Sequence, residues 1–250
     1  MQEIPSETPR KWRFLSQTDS TNAEIERSLS THPPGEDLVV IADSQTKGKG
    51  RLGRVWHSEP KTGIYLSTLI RPPNITPEQL PILTLMAGLA TVIAVNEFIS
   101  QPALLKWPND LLLKGKKIAG ILCEYHSIKN PAVIIGIGIN VNQVQFPAGL
   151  KDIATSLKLE FGKDINRTAL IKSLITQLDL QYNKFQNNKV QAILNNWTRN
   201  TDLFGKTISL NKGNQIINGE AIRLDNHGRL VILNDSGKEV AFDSGEVGIR

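Results

Sequence analysis

Residues 47–54, Lys47-Gly48-Lys49-Gly50-Arg51-Leu52-Gly53-Arg54, constrain this chain more than any other stretch. Three glycines and four fixed positive charges fall within eight positions. Glycine lets a backbone approach a ligand closely and adopt positive φ. Such a segment reads as a surface loop between elements. Its charges repel one another, so it should be mobile until an anion neutralises it. The compact apolar run Leu38–Ala42 precedes it and Gly63–Ile70 follows it, so the loop should join two strands. A phosphate-bearing ligand is the natural occupant.

The glycine spacing imitates several phosphate cradles. Gly48-Lys49-Gly50-Arg51-Leu52-Gly53 matches G-x-G-x-x-G, but a dinucleotide fold needs that string to open a helix, with an acid about 20 positions on. Here the loop runs through Trp56 to Pro60 and then into a strand, and no acid lies between Lys61 and Pro77. A protein kinase would need His-Arg-Asp and Asp-Phe-Gly downstream, and neither follows. A nucleic-acid contact is a further reading of so basic a loop, yet no helix-turn-helix, zinc or aromatic RNA-binding motif accompanies it. The net charge of +5 is modest, and much of it sits in this loop.

Other segments place the elements. Trp12–Leu15 reads as a short strand. Asp19-Ser20-Thr21-Asn22 opens a helix to about Leu29, with Asp19 or Ser20 as N-cap and Glu24 and Glu26 in its first turns. Residues 77–99 form a buried helix. Its apolar part, Leu80–Val95, falls short of the roughly 20 apolar residues of a membrane span. Ala103–Trp107 is a strand closed by Pro108. Leu111–Leu113 and Ile118–Tyr125 make a hairpin around Lys114-Gly115-Lys116, and Ala132–Asn140 is another strand. Residues 166–200 have helical period. Beyond about Asn200, glycines punctuate short strands such as Thr207–Leu210, Ala221–Leu224 and Leu230–Leu233. That texture suggests a small all-β unit. The expected division is therefore a larger mixed domain over 1–200 and a β domain over 201–250. With Cys123 as the only cysteine, no intrachain disulfide forms. Its apolar neighbours make it a packed thiol rather than a reactive one. The N-terminus lacks the apolar core of a signal peptide, so the chain is expected in the cytoplasm.

Four more polar segments carry chemistry. Lys106-Trp107-Pro108-Asn109-Asp110 is either a strand-ending turn or an acid and amide beside the phosphate loop. Lys116-Lys117-Ile118-Ala119-Gly120 is either a lysine snorkelling at a hairpin end or a cation with room beside it for a ligand. In Gly136–Asn142, small residues admit close approach, while Asn140 and Asn142 can read a base edge or cap a turn. Ser20-Thr21-Asn22 is either a cap or a reader of a polar head group.

In this order, the segments resemble the biotin protein ligases, the biotin–[acetyl-CoA-carboxylase] ligases. The resemblance rests on Asp19–Asn22, Gln45 with Gly48–Arg54, Trp56, Lys106–Asp110, Lys117–Glu124 and Gly136–Asn142. It implies an α+β fold: a mixed, largely antiparallel sheet with helices, of the class II aminoacyl-tRNA synthetase-like kind, plus a small C-terminal SH3-like β domain. It implies ATP-dependent transfer of biotin, through biotinyl-5′-AMP and with Mg²⁺, to a lysine of the biotin carboxyl carrier protein of acetyl-CoA carboxylase. Ser20, Thr21, Asn22 and Gln45 are then readers of biotin's ureido ring and Trp56 a pocket wall. Lys49, Gly50 and Arg51 belong to the loop over biotin, with Gly120 behind it. Arg51, Arg54, Asn109, Asp110, Lys117 and Asn140 attend the nucleotide. Lys117 and Arg51 are the implied catalytic cations, and Asp110 the implied Mg²⁺ ligand. Nineteen residues precede Ser20, too few for the DNA-binding domain of some members, so the monofunctional form is expected. The family includes sheet-edge dimers, so a homodimer is an implied assembly, with neither DNA nor membrane as partner. Its loop often reads Gly-Arg-Gly-Arg-Arg-Gly-Arg. Lys49 here keeps the charge but loses the planar fork, and Leu52 removes a charge. Lipoate and octanoate ligases share the superfamily and are the nearest alternative.

Overall fold

The structure, a computed structural model, describes residues 10–33, 36–127, 131–213 and 215–249. Most of the polar N-terminal tail read from the sequence lies outside them.

Seven strands form the larger sheet: β1 (Arg10–Leu15), β2 (Asp37–Ala42), β3 (Ile64–Ile70), β4 (Leu104–Lys106), β5 (Asp110–Leu113), β6 (Lys116–His126) and β7 (Ala132–Ile139). Their order is β1-β2-β3-β7-β6-β5-β4. Only β1 and β2 run parallel, and every other pair is antiparallel. The parallel pair needs a crossover, and α1 (Thr21–Ser28) supplies it.

Apolar alternation assigns the two faces. Val39, Ile41, Leu66, Ile135 and Ile137 pack into the main core beneath α2 (Leu80–Asn96), while Leu38, Val40, Leu69 and Ile134 pack under Ile25 and Leu29 at α1. With both faces covered, β2 and β7 read as continuous apolar runs rather than alternating ones. α2 is apolar nearly all round because α4 (Arg167–Gln186), α5 (Val190–Arg199) and the sheet surround it. With the preceding turn, Pro77–Asn96 is long and apolar enough to cross a membrane by length and composition. Two-thirds of that window is buried inside the protein, however, which makes it a core helix.

Several expectations shift. The helical stretch 166–200 is two helices, broken at Asn187–Lys189, where Asn188 takes a left-handed φ of 55°. Asparagine tolerates that conformation because its short side chain can bond locally. A short helix the periodicity missed, α3 (Leu157–Phe161), is capped by Ser156, whose Oγ accepts from the Leu159 N–H at 3.1 Å. The predicted β5–β6 hairpin turns on Lys114 and Gly115, with φ of 50° and 78°, the doubly left-handed pair that suits a two-residue hairpin loop. The Trp107–Pro108 peptide between β4 and β5 is cis.

The C-terminal strands are β8 (Thr207–Lys212), β9 (Gln215–Leu224), β10 (Leu230–Asn234), β11 (Glu239–Phe242) and β12 (Glu246–Ile249), in the order β11-β10-β9-β8-β12. Ile208, Leu210, Leu230, Ile232 and Val247 join the same core cluster as α2. Trp107 Nε1 donates to Gly228 O at 3.2 Å, and a Cβ at Gly228 would lie 2.9 Å from Leu85 Cδ1 on α2. The small sheet is thus packed onto the large domain, close to the site.

Candidate active site

The site lies on the α1 face of the sheet, where the strands exchange apolar side chains for glycine. Gly136 sits between Ser67 and Leu122 in register, and Gly138 between Tyr65 and Gly120. These glycines, with Gly120, make room for side chains laid across the strands. A Cβ at Gly138 would stand 2.4 Å from Trp56 Cε2, one at Gly136 2.2 Å from Asn22 Oδ1, and one at Gly120 3.0 Å from Trp56 Cζ3. Trp56 and Asn22 are laid into the hollow. The result is a cleft enclosing about 450 Å³ of open space. Ser20, Thr21, Asn22, Gln45, Lys49, Gly50, Arg51, Trp56, Asn109, Lys117 and Gly120 all line it. Ile121, Leu122 and Ile137 also line it, and nothing in their sequence context separated them from core residues.

One end of the cleft is a polar network. Ser20 stands at the N-cap of α1 without using its side chain there. Instead its N–H donates to Asp19 Oδ1 at 2.7 Å, and Asp19 is gripped by both Nη atoms of Arg27. The Arg27 guanidinium holds the Asp19 carboxyl well below the usual carboxylate range. Gln45 Oε1 accepts from the Thr21 N–H at 2.8 Å, while Gln45 Nε2 donates to Ser58 Oγ at 2.9 Å, leaving a second amide hydrogen for a ligand. Asn22 accepts from Ser67 Oγ at 2.5 Å and donates to Glu124 Oε2 at 2.6 Å. Partners within the protein thus hold the Thr21, Asn22 and Gln45 side chains.

The other end is cationic. Lys117 Nζ lies 2.6 Å from Asp110 Oδ1 and 5.4 Å from the centre of a Trp56 ring. The Lys117 backbone is pinned from both sides: its N–H donates to Ile153 O at 2.8 Å, and its carbonyl accepts from the Thr155 N–H at 3.0 Å. Arg51 Nη1 donates to Asn109 Oδ1 at 3.0 Å, and Asn109 Nδ2 donates to Ile121 O at 2.9 Å. Burial pushes the Arg51 guanidinium below its ordinary pKa, against the pull of Asp110. Trp56 Nε1 is buried with no hydrogen-bond partner among the described residues. An unmet buried donor costs roughly 1–3 kcal/mol, which a ligand acceptor would recover.

Three predicted nucleotide residues lie outside the cleft lining. Arg54 turns away to form an ion pair with Glu246 of β12. Asp110 stands behind Lys117. Asn140 is buried, with Nδ2 directed at Lys117 O and Oδ1 at Gln143 Nε2. Asn142 binds the Ile165 backbone through both amide atoms, which makes it a structural brace. The expectation of a loop left mobile by self-repulsion meets a defined turn. The Gly50 N–H donates to Arg54 O at 2.7 Å, and Lys49 bridges to Val55. The protein itself supplies partners for the charges: Glu26 for Lys49, Glu246 for Arg54 and the Asn109 amide for Arg51.

A second cleft, of about 620 Å³ open space, adjoins the first. The two share Arg51, Ile121 and Leu122. Its other walls are Leu80, Pro81 and Thr84 of α2, Pro108, Cys123, and Asp243 and Ser244 of the turn between β11 and β12.

Residues 14–142 match the biotin/lipoate A/B protein ligase family, and residues 203–250 match the biotin protein ligase C-terminal domain. The chain is 36% identical over 227 residues to the bifunctional ligase/repressor BirA of Bacillus subtilis, covering 89% of this chain and 68% of that protein. It is 34% identical over 245 residues to the biotin--[acetyl-CoA-carboxylase] ligase of Mycobacterium tuberculosis, covering 94% and 89% of the two. The biotin protein ligase of Aquifex aeolicus, solved with biotin and ATP, superposes with a TM-score of 0.83 at 33% identity, covering 96% of this chain and 98% of that one. The chain therefore belongs to the biotin/lipoate A/B protein ligase family, as a biotin protein ligase.

Proposed function

We propose that this chain ligates biotin to a carrier lysine at the expense of ATP, with Lys117 and Arg51 as the cations that bring two anions together. A carboxylate does not acylate an amine at neutral pH because its leaving group is too poor. Attack of the biotin carboxylate on the α-phosphorus of ATP makes a mixed anhydride and releases pyrophosphate. Charge builds on the phosphoryl oxygens during that attack, and fixed cations aimed there are the expected source of rate. The observation that carries this reading is the polarity of one cleft. Neutral amides and hydroxyls from Ser20–Asn22 and Gln45 line one end, Trp56 forms the wall, and Lys117 and Arg51 stand at the other end. That gradient suits a ligand with an uncharged polar head, an apolar middle and a carboxylate tail.

In this assignment Ser20, Thr21, Asn22 and Gln45 read the ureido ring, while Gly50 and Lys49 cover it. Lys117 exchanges its contact with Asp110 for the reacting carboxylate and phosphate. Arg54 and Asn140 attend the nucleotide after leaving Glu246 and Gln143. The residues do not make a resident Mg²⁺ site. No group of three or more His, Cys, Asp or Glu side chains among the described residues could hold a metal, and Asp110, released when Lys117 turns to the substrate, offers a single carboxylate. Magnesium fits better as part of the Mg–ATP substrate, which keeps water and phosphate oxygens as its ligands. The carrier is the biotin domain of acetyl-CoA carboxylase, and a reaction between ATP and that enzyme belongs in the cytoplasm.

Pyrophosphate release, measured with biotin and with lipoate, tests the reading. Release dependent on biotin and absent with lipoate is expected. Release with lipoate and none with biotin would contradict it.

A further inference from the structure

The geometry points to the second cleft as the channel by which the acceptor lysine reaches the activated biotin; this rests on the ligase reading above. The second half-reaction needs an amine at the anhydride carbonyl, from a side that neither biotin nor nucleotide fills. Arg51, Ile121 and Leu122 border both clefts, so the second cleft meets the first beside the cation assigned to the reacting group. Leu80, Pro81 and Pro108 offer apolar walls for the methylene stem of a lysine, which packs along apolar surface while its head seeks polar partners.

Charge runs along this cleft in the right order. Asp243 stands in its wall, in the turn between β11 and β12, and is already engaged by a lysine of this chain, with Lys212 Nζ at 2.7 Å. Both side chains are about half exposed, so a carrier lysine can compete for that carboxylate. Arg51 stands where the clefts meet and disfavours a second cation beside it. An ammonium is therefore attracted at the acid and must arrive at Arg51 as the neutral amine. There the amine nitrogen forms the C–N bond while the C–O bond to phosphate breaks. The bonding electron pair leaves on the phosphate oxygen of AMP, and one N–H proton passes to solvent. Cys123, in the wall of the same cleft, is a potential rival nucleophile. Burial pushes its thiol up to about 12, so it stays protonated and does not intercept the acyl group.

The test separates the half-reactions in Asp243→Lys and Thr84→Trp, which reverse the charge of the cleft and fill it. Three rates are measured: pyrophosphate release with biotin, transfer to a biotin carrier domain, and transfer to hydroxylamine, a nucleophile too small to need a channel. Pyrophosphate release and hydroxylamine transfer should match the parent, while kcat/KM for the carrier falls by about tenfold or more. Should Thr84→Trp fail to fold, Asp243→Lys, at an exposed position outside the core, carries the test alone. Wild-type carrier transfer in the folded variants would overturn the channel. So would an equal fall with carrier and hydroxylamine, which would place the defect in the anhydride chemistry. Loss of pyrophosphate release by the parent enzyme would instead defeat the ligase reading.

Discussion

Three glycines shape the site as much as its charged residues do. Gly136, Gly138 and Gly120 occupy one face of β7 and β6, where Ile134 and its neighbours otherwise fill the space under α1. Gly138 is the most demanding, because an added methyl meets three atoms of the Trp56 ring at 2.4–2.8 Å. Gly138→Ala should displace the indole, cost about 1–3 kcal/mol of stability through overpacking, and weaken biotin binding. Gly149→Ala, with nothing within 4 Å of the new methyl, is the control. Matching denaturation midpoints and matching biotin affinities for the two variants would contradict this account of the wall. The glycines were visible in the sequence as places of close approach. That a tryptophan and an asparagine of this chain fill those places was not, because the contacts join residues 82 and 114 positions apart. Lys117 shows the same limit. Its charge was legible, but its pairing with Asp110 depends on strand register.

Among the elements, the 47–54 loop departs most from expectation. Repulsion among its cations was plain from composition. The acids that relieve it come from α1 and from β12, at Glu26 and Glu246. Neither could be assigned to the loop from spacing. Arg54 ties the turn to the C-terminal sheet through a half-exposed pair, and such pairs contribute only about 0–1 kcal/mol. Its effect should therefore appear in loop opening rather than in global stability. Glu246→Gln should leave the melting temperature within a degree or two while trypsin cuts faster after Arg51 and Arg54; about 0.5–1 kcal/mol corresponds to a two- to fivefold change in opening. Cleavage at the parent rate would show that Glu246 does not hold the loop. Compact apolar runs made β2 and α2 legible, and the Lys114-Gly115-Lys116 turn the β5–β6 hairpin. The break at Asn187–Lys189 and the five-residue α3 were not, since one left-handed residue and one serine cap leave little trace in a hydrophobic pattern.

At the scale of the molecule, the large sheet supplies a rigid floor, α1 supplies the polar readers, and the C-terminal sheet closes the second cleft. The change in texture near residue 200 was legible as a change of architecture. The shared core beneath it was not, because Leu210, Leu230 and Val247 look like the core of an independent unit until α2 is seen against them. On this view activation occurs at the meeting of a neutral head-group site and a cationic end, and all of it depends on Lys117 being the cation that meets the reacting carboxylate. The most direct measurement is single-turnover formation of biotinyl-5′-AMP by Lys117→Ala, alongside the affinity of the same variant for biotin. Removing a charge aimed at the transition state should slow adenylate formation by roughly 10²–10³-fold while biotin affinity changes only a few-fold. Formation of the adenylate at the parent rate by a folded Lys117→Ala enzyme would contradict the account.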